Sequence, residues 1–314
     1  MDIEHVVGQR RPQRKVTGIS AALLPFADDG TIAFEAFQAH LLRTHSAGLI
    51  NAVNMDTGYV NYLSEAEQRE VLRATREALP ANAKFVAGAY IEGLAGDVVE
   101  LYRRRLDQII SHGGTPIIFQ TARLHHQPAR ETIKFYEAIV RGFPEVLCFE
   151  LAPAFAPNGE VFDDETIRGL MQIPELTGLK HSSLDRIREL ERLALRDQVR
   201  PDFKIYTGND WAIDMIEYGS DYLLGLATFA PEKFAERDRL WEQGDPAYYE
   251  LSNALQCLGW VAFRPPIPAY KHSAAIFLKL AGLIPSDRIH ERSPARPEWE
   301  IDLMRECAQR LHLA

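Results

Sequence analysis

Apolar and polar positions alternate along the chain in two rhythms. Short apolar runs bounded by Gly, Pro, Asn or Asp predict strands at Val16–Leu24, Leu49–Val53, Lys84–Ala89, Thr115–Gln120, Glu145–Phe149, Leu176–Lys180, Phe203–Thr207 and Asp221–Leu226. Helical periodicity fills the gaps at Phe34–Ala47, Asp97–Ser111, Arg130–Arg141 and Asp164–Met171. A capping box, Ser64 with Glu67, opens a helix that runs to about Leu79; Ser183 is placed to cap Leu184–Leu195, and further helices begin at Asp210 and Pro231. Eight strand–helix units predict parallel strands with right-handed crossovers, an α/β fold in which the count of eight favours a closed (β/α)8 TIM barrel. The first strand is not followed by G-x-G-x-x-G, so a dinucleotide-binding sheet lacks its phosphate cradle. After about Gly244 the rhythm becomes purely helical, at Asp245–Phe263, Pro268–Ala281 and Glu298–His312. The expected division is a leader at 1–15, a barrel at 16–244 and a C-terminal three-helix extension at 245–314.

A length of 314 residues accommodates one large barrel with an appendage. The net charge of −9 argues against nucleic acid as a partner, because phosphate binding needs a basic surface. The one basic cluster, Arg10, Arg11, Arg14 and Lys15, reads as a solvated leader. No apolar run reaches the length of a membrane span and the first residues carry no signal-peptide core, so no membrane partner and a cytoplasmic location are expected. Three cysteines, Cys148, Cys257 and Cys307, lie far apart without C-x-x-C spacing, which reads as reduced thiols. His125 and His126 are adjacent, so on a strand they would point to opposite faces; no metal site and no cofactor is expected.

Of eight lysines only Lys180 sits where a predicted strand finishes, in Glu175-Leu176-Thr177-Gly178-Leu179-Lys180-His181-Ser182-Ser183. Barrels of this class carry their chemistry at strand carboxyl ends. Burial there penalises the ammonium form, and a free amine attacks carbonyl carbon to form a Schiff base. Without the barrel, a solvated strand-end lysine is the plainer account.

Gly178-Leu179-Lys180-His181-Ser182-Ser183 resembles the G-I-K-x-S-S signature of the Schiff-base lyases typified by dihydrodipicolinate synthase and N-acetylneuraminate lyase. Leu24-Pro25-Phe26 with Asp29-Gly30 is similar to that family's T-P-F-x-x-D-G opening, Thr207-Gly208-Asn209-Asp210 to its S-G-D-D segment, and Pro266-Ile267-Pro268-Ala269-Tyr270-Lys271 to its N-P-x-P-x-K start of the helical tail. The resemblance spans about Thr17 to Arg296. It implies a (β/α)8 barrel with a three-helix tail, a homo-oligomer (tetramer or dimer), and Lys180 holding a 2-oxo acid such as pyruvate as a Schiff base. It also implies that Thr57 and Gly58, aligned with the end of G-T-T-G-E, seat the substrate carboxylate, and that the backbone carbonyl of Leu224 lies beside the pyruvate moiety.

The same alignment departs from the family at its proton relay. Asp56 stands where the family has its first threonine, and Phe149 where it has the tyrosine that ends the fifth strand. The tyrosine pair after the fourth strand falls near Arg123 and Leu124. Phenylalanine fills the tyrosine's volume but cannot carry a proton, and losing a positioned acid–base group costs about 10² to 10⁴ in rate. Asp56 is the preferred replacement, with a turn aspartate capping Thr57-Gly58 as the structural alternative. An Asp56 charge near Lys180 would oppose a depressed amine pKa unless it is protonated or paired with Arg123. Arg123 could equally clamp a distal substrate carboxylate or make a loop salt bridge. Tyr59 and Tyr206 are further phenols, Tyr206 read as core; alternation turns Glu150 away from the site when Phe149 faces it, and His181 outward under the next helix.

The sequence thus points to a Schiff-base lyase, of aldolase or dehydratase type, with little dihydrodipicolinate synthase activity. The alternative is a non-catalytic small-molecule-binding or regulatory protein on the same barrel. A metal-dependent barrel enzyme ranks last, because the strand ends lack clustered His and carboxylates.

Overall fold

The computed structural model describes residues 8–155 and 159–313; the first seven residues of the expected leader lie outside them. Among the described residues the strands are β1 (Gly18–Ala21), β2 (Ile50–Val53), β3 (Phe85–Ala89), β4 (Thr115–Ile118), β5 (Val146–Leu151), β6 (Leu176–Ser182), β7 (Lys204–Thr207) and β8 (Asp221–Leu224). They close in sequence order into one barrel, with parallel registers such as Ile19↔Ile50, Phe149↔Lys180 and Lys180↔Tyr206. Every residue of β1, β3 and β8 is buried, which is why these strands read as apolar runs without alternation: a parallel sheet is covered on both faces.

Helices α1 (Phe34–Ser46), α2 (Glu65–Ala78), α3 (Val98–Ser111), α4 (Ala129–Val140), α5 (Asp164–Met171) and α6 (Arg186–Val199) follow the first six strands, and α7 (Pro231–Gln243) follows the eighth. The Ser64–Glu67 box is formed in both directions. Two expectations give way. The α6 cap is Asp185, which accepts from the backbone N–H groups of Ile187 and Arg188, because the Ser183 hydroxyl is bonded to His181 Nε2 at 2.7 Å. After β7 the chain forms a 3-10 stretch, Ile213–Tyr218, in place of an α-helix from Asp210. The short span to β8 and the left-handed Gly219, at φ +108°, leave no room for more.

The chain resolves into two compact units. One holds β3 to β7 and α3 to α6, as Lys84–Asn209 and Asp214–Tyr222 with the leader up to Arg11. Within it Arg10 pairs with Glu217 at 2.6 Å and Arg11 with Asp197, so part of the basic cluster is engaged by acidic partners. The other holds β1, β2, α1, α2 and α7 with three C-terminal helices, α8 (Ala247–Ala262), α9 (Tyr270–Leu280) and α10 (Glu300–Arg310), as Pro12–Ala83, Asp210–Ile213 and Leu223–Ala314. Arg296 ties down the link between α8 and α9, donating to the carbonyls of Ala262 (2.8 Å) and Arg264 (2.7 Å) and to Ser273 Oγ (3.2 Å). No described helix is long and apolar enough to cross a membrane.

Candidate active site

Lys180 occupies β6 near its carboxyl end and is 9% exposed. Its Nζ lies 4.4 Å from the centre of the Phe149 ring, its register partner on β5. Phe119 meets Phe149 edge-on at 5.1 Å, and Tyr90 meets Phe119 at 5.7 Å, so the amine faces an aromatic wall. The stem is confined from the β7 side by Gly208. A Cβ there would fall 2.8 Å from Lys180 Cε and 1.9 Å from Ser182 Oγ. Glycine in the Thr207-Gly208-Asn209-Asp210 segment is therefore what lets β6 deliver its lysine, and the Gly208 N–H donates to the His181 carbonyl at 2.7 Å. Tyr206 packs its ring against Gly178, as a core residue would.

The residues flanking the Lys180 pair in register turn the other way, as alternation requires. Glu150 and His181 are fully buried and joined at 2.5 Å through His181 Nδ1. Glu150 also accepts from Arg192 Nε (3.0 Å) and Nη2 (3.2 Å) and from the Phe162 N–H (2.9 Å). Burial alone would raise the Glu150 carboxyl; the charges and hydrogen bonds of His181 and Arg192 outweigh it and hold the group at about 2. The network pins the residue directly after Lys180.

At the end of β2, Asp56–Gly58 form one 3-10 turn. Thr57 Oγ1 lies 2.8 Å from the hydroxyl of Tyr270, which donates to Asp56 Oδ2 at 2.9 Å. Lys271 Nζ, on a side chain only 2% exposed, donates to both Asp56 oxygens at 3.0 and 3.1 Å. Asp56 is therefore paired with Lys271 from the start of α9. Arg123 sits exposed in the 3-10 turn Ala122–Leu124 and donates to the Gly96 carbonyl at 2.8 Å. Tyr270 stacks on Phe263, with centroids 4.3 Å apart and planes 13° apart. Burial first, then the neighbouring Asp56 carboxylate, pushes its phenol well above the usual range.

Gly225, just past β8, leaves room for this cluster: a Cβ would come within 3.0 Å of Tyr270 Cε2 and 3.3 Å of Thr57 Oγ1. Leu224, the last residue of β8, is fully buried. Tyr59 adopts φ +58° in the left-handed region, and its buried hydroxyl has no hydrogen-bond partner among the described residues. The sequence marks the segment that carries Tyr270 but not its phenol as a site group. Nothing local connects it to Thr57, 213 positions away.

No protein-family model matches the chain. Among curated proteins it is similar to the 4-hydroxy-tetrahydrodipicolinate synthase of Kosmotoga olearia, 24% identical over 230 residues, which covers 72% of this chain and 75% of that protein. Among solved structures it superposes on a monomeric dihydrodipicolinate synthase variant with a TM-score of 0.82 at 18% identity, covering 96% of this chain and 98% of that one. A prophage protein of the dihydrodipicolinic acid synthase family from E. coli K12, solved in complex with pyruvate, gives a TM-score of 0.81 at 14% identity over 95% of this chain and 99% of that one. The structural matches bear on the fold.

Proposed function

We propose, from the premise that the chain is a divergent member of the dihydrodipicolinate synthase family, that it is a Schiff-base-forming lyase of aldolase or dehydratase type acting on a 2-oxo acid such as pyruvate. The observation that carries this reading is Lys180 itself: a buried amine at a strand carboxyl end, against an aromatic ring and with a stem that only glycine admits. Burial disfavours the ammonium form, and the π face of Phe149 offsets part of that cost. The neutral Nζ attacks C2 of the 2-oxo acid and the carbonyl oxygen takes up a proton, giving a carbinolamine. Loss of that oxygen as water leaves a protonated imine. Removal of a C3 proton then gives an enamine, the carbon nucleophile of the lyase step run in the condensing direction.

Thr57 and the Gly58 N–H seat the carboxylate in this reading, the Leu224 carbonyl borders the bound acid, and Asp56 serves the proton transfers that Phe149 cannot. Incubation with pyruvate and a panel of other 2-oxo acids, borohydride reduction and peptide mass spectrometry should place an adduct on Lys180. No adduct across the panel overturns the proposal. With the hydroxyl at Phe149 missing, turnover of pyruvate with aspartate semialdehyde should be poor or absent.

The reading extends to a cytoplasmic homo-oligomer, dimer or tetramer. Tyr249, Trp260 and Trp299, on or beside the C-terminal helices, are 50%, 58% and 59% exposed, and are of the residue types enriched where protein surfaces meet. Light scattering measures the assembly.

A further inference from the structure

A hydroxyl, an imidazole and a carboxylate stand in line on the face of β5 and β6 turned away from Lys180, all within the unit that holds β3 to β7. Ser183 Oγ lies 2.7 Å from His181 Nε2, and His181 Nδ1 lies 2.5 Å from Glu150 Oε1. Glu150 is ionised and only accepts, so Nδ1 carries the proton of the neutral ring and Nε2 presents a lone pair. The Ser183 hydroxyl therefore donates to Nε2. Its competing acceptor, the Asp185 carbonyl, is farther away at 3.2 Å, and the Asp185 N–H donates to the same Oγ at 3.1 Å. Glu150 and His181 are fully buried while Ser183 is partly exposed, so the line of hydrogen bonds ends on a hydroxyl that solvent reaches.

We propose that Ser183 is a second nucleophile of this protein, deprotonated by His181 and oriented through Glu150, that takes the acyl group of short-chain carboxylic esters. The proposal does not rest on the lyase reading, since none of the three groups serves the condensation at Lys180. Nucleophile and base are within hydrogen-bond reach, and a third group orients the base, which is the arrangement that activates a serine. Oγ attacks the ester carbonyl carbon as its proton passes to Nε2. The C–O bond to the alcohol then breaks, and Nε2 returns that proton to the leaving alkoxide. Acyl-Ser183 and the free alcohol result, and water attacking in the same manner releases the carboxylic acid. Arg192 offsets the charge of Glu150 but also holds Asp164 at 2.8 Å. Two carboxylates against one guanidinium leave a net negative charge to stabilise the imidazolium that forms. The partial cover over Ser183 favours a short acyl chain over a bulky one.

The probe is a fluorophosphonate, which transfers its phosphonyl group to an activated serine with loss of fluoride. Peptide mass spectrometry of the full chain locates and times the label. A hydroxyl that only fastens β6 to the start of α6 should react no faster than the exposed Ser46 and Ser111. We expect Ser183 to be labelled more than about tenfold faster than either, given the 10² to 10⁴ that a positioned base typically supplies. A smaller advantage, or no label on Ser183, overturns the proposal. Glu150→Gln keeps an acceptor for the Phe162 N–H and removes the charge that holds the proton on Nδ1. In that variant, with circular dichroism unchanged, Ser183 labelling should fall toward the rate of Ser111. Its slowing in D2O, the mark of the hydroxyl proton moving to Nε2, should also vanish. Parent-rate labelling of Ser183 in folded Glu150→Gln overturns the proposal. Should the variant fold poorly, the comparison of Ser183 with Ser46 and Ser111 in the parent decides alone.

Discussion

Arg192→Met tests how the segment bearing Lys180 is anchored. The parent guanidinium is fully buried, gives two hydrogen bonds to Glu150 (3.0 and 3.2 Å), one to Asp164 (2.8 Å) and one to the Phe162 carbonyl. Methionine fills most of the volume but leaves the buried Glu150 carboxylate with His181 and one backbone N–H as its donors. Removing one partner of a buried ion pair costs about 3–5 kcal/mol, chiefly as the penalty on the charge left behind. For 314 residues the unfolding entropy is about 0.7 kcal/mol per degree, so thermal unfolding should fall by about 5–7 °C. Glu150→Gln/Arg192→Met removes the stranded charge and keeps an acceptor for the Phe162 N–H, so at least half of the loss should return. Differential scanning fluorimetry or calorimetry reads both proteins. Because His181 follows Lys180 in β6, borohydride trapping should also slow in the single variant and recover in the double. A single variant within about 1 kcal/mol of the parent, or a double no more stable than the single, refutes this account of the network.

Glu150→Gln alone should flatten acid denaturation. The carboxyl titrates near 2 in the fold against an ordinary value of 4.5, so its contribution is complete above about pH 4.5 and is lost as pH falls toward 2. Unfolding followed by circular dichroism across that window should show the parent losing more stability than the variant. Gly208→Ala drives a Cβ to within 3 Å of Lys180 Cε and Ser182 Oγ; it should slow adduct formation at least tenfold and destabilise by about 1–3 kcal/mol through overpacking, and an unimpaired trapping rate contradicts the confinement of the lysine stem. Tyr59→Phe should leave stability unchanged or raise it by about 1 kcal/mol, since it deletes a buried hydroxyl with no partner among the described residues; a loss of more than about 1 kcal/mol in thermal unfolding contradicts that reading.

The barrel was legible because strand and helix rhythms alternate eight times, and each apolar run records a strand buried on both faces. The place of Lys180 near the carboxyl end of β6 was legible for the same reason, although the strand runs on to Ser182. So was the outward turn of Glu150 and His181, which alternation alone dictates. Short-range bonding misled the α6 start: Ser183 has the composition of a cap, but His181 two residues earlier takes its hydroxyl and Asp185 caps instead. A cation beside Asp56 was one of two options the sequence left open, the other being protonation; that Lys271 supplies it was not legible. Lys271 lies 215 positions away, and a pairing of that reach follows from tertiary packing, not from any local pattern.

Tyr270 and Lys271 stand side by side at the first turn of α9, beyond the last barrel strand and its helix, yet together they hold the β2 turn. A tail that fixes the conformation of the β2 turn can reset that turn through the short α8–α9 connection, leaving the strand itself untouched. Change at the β2 turn in such proteins would then be written in the tail, where a comparison confined to strand ends never looks.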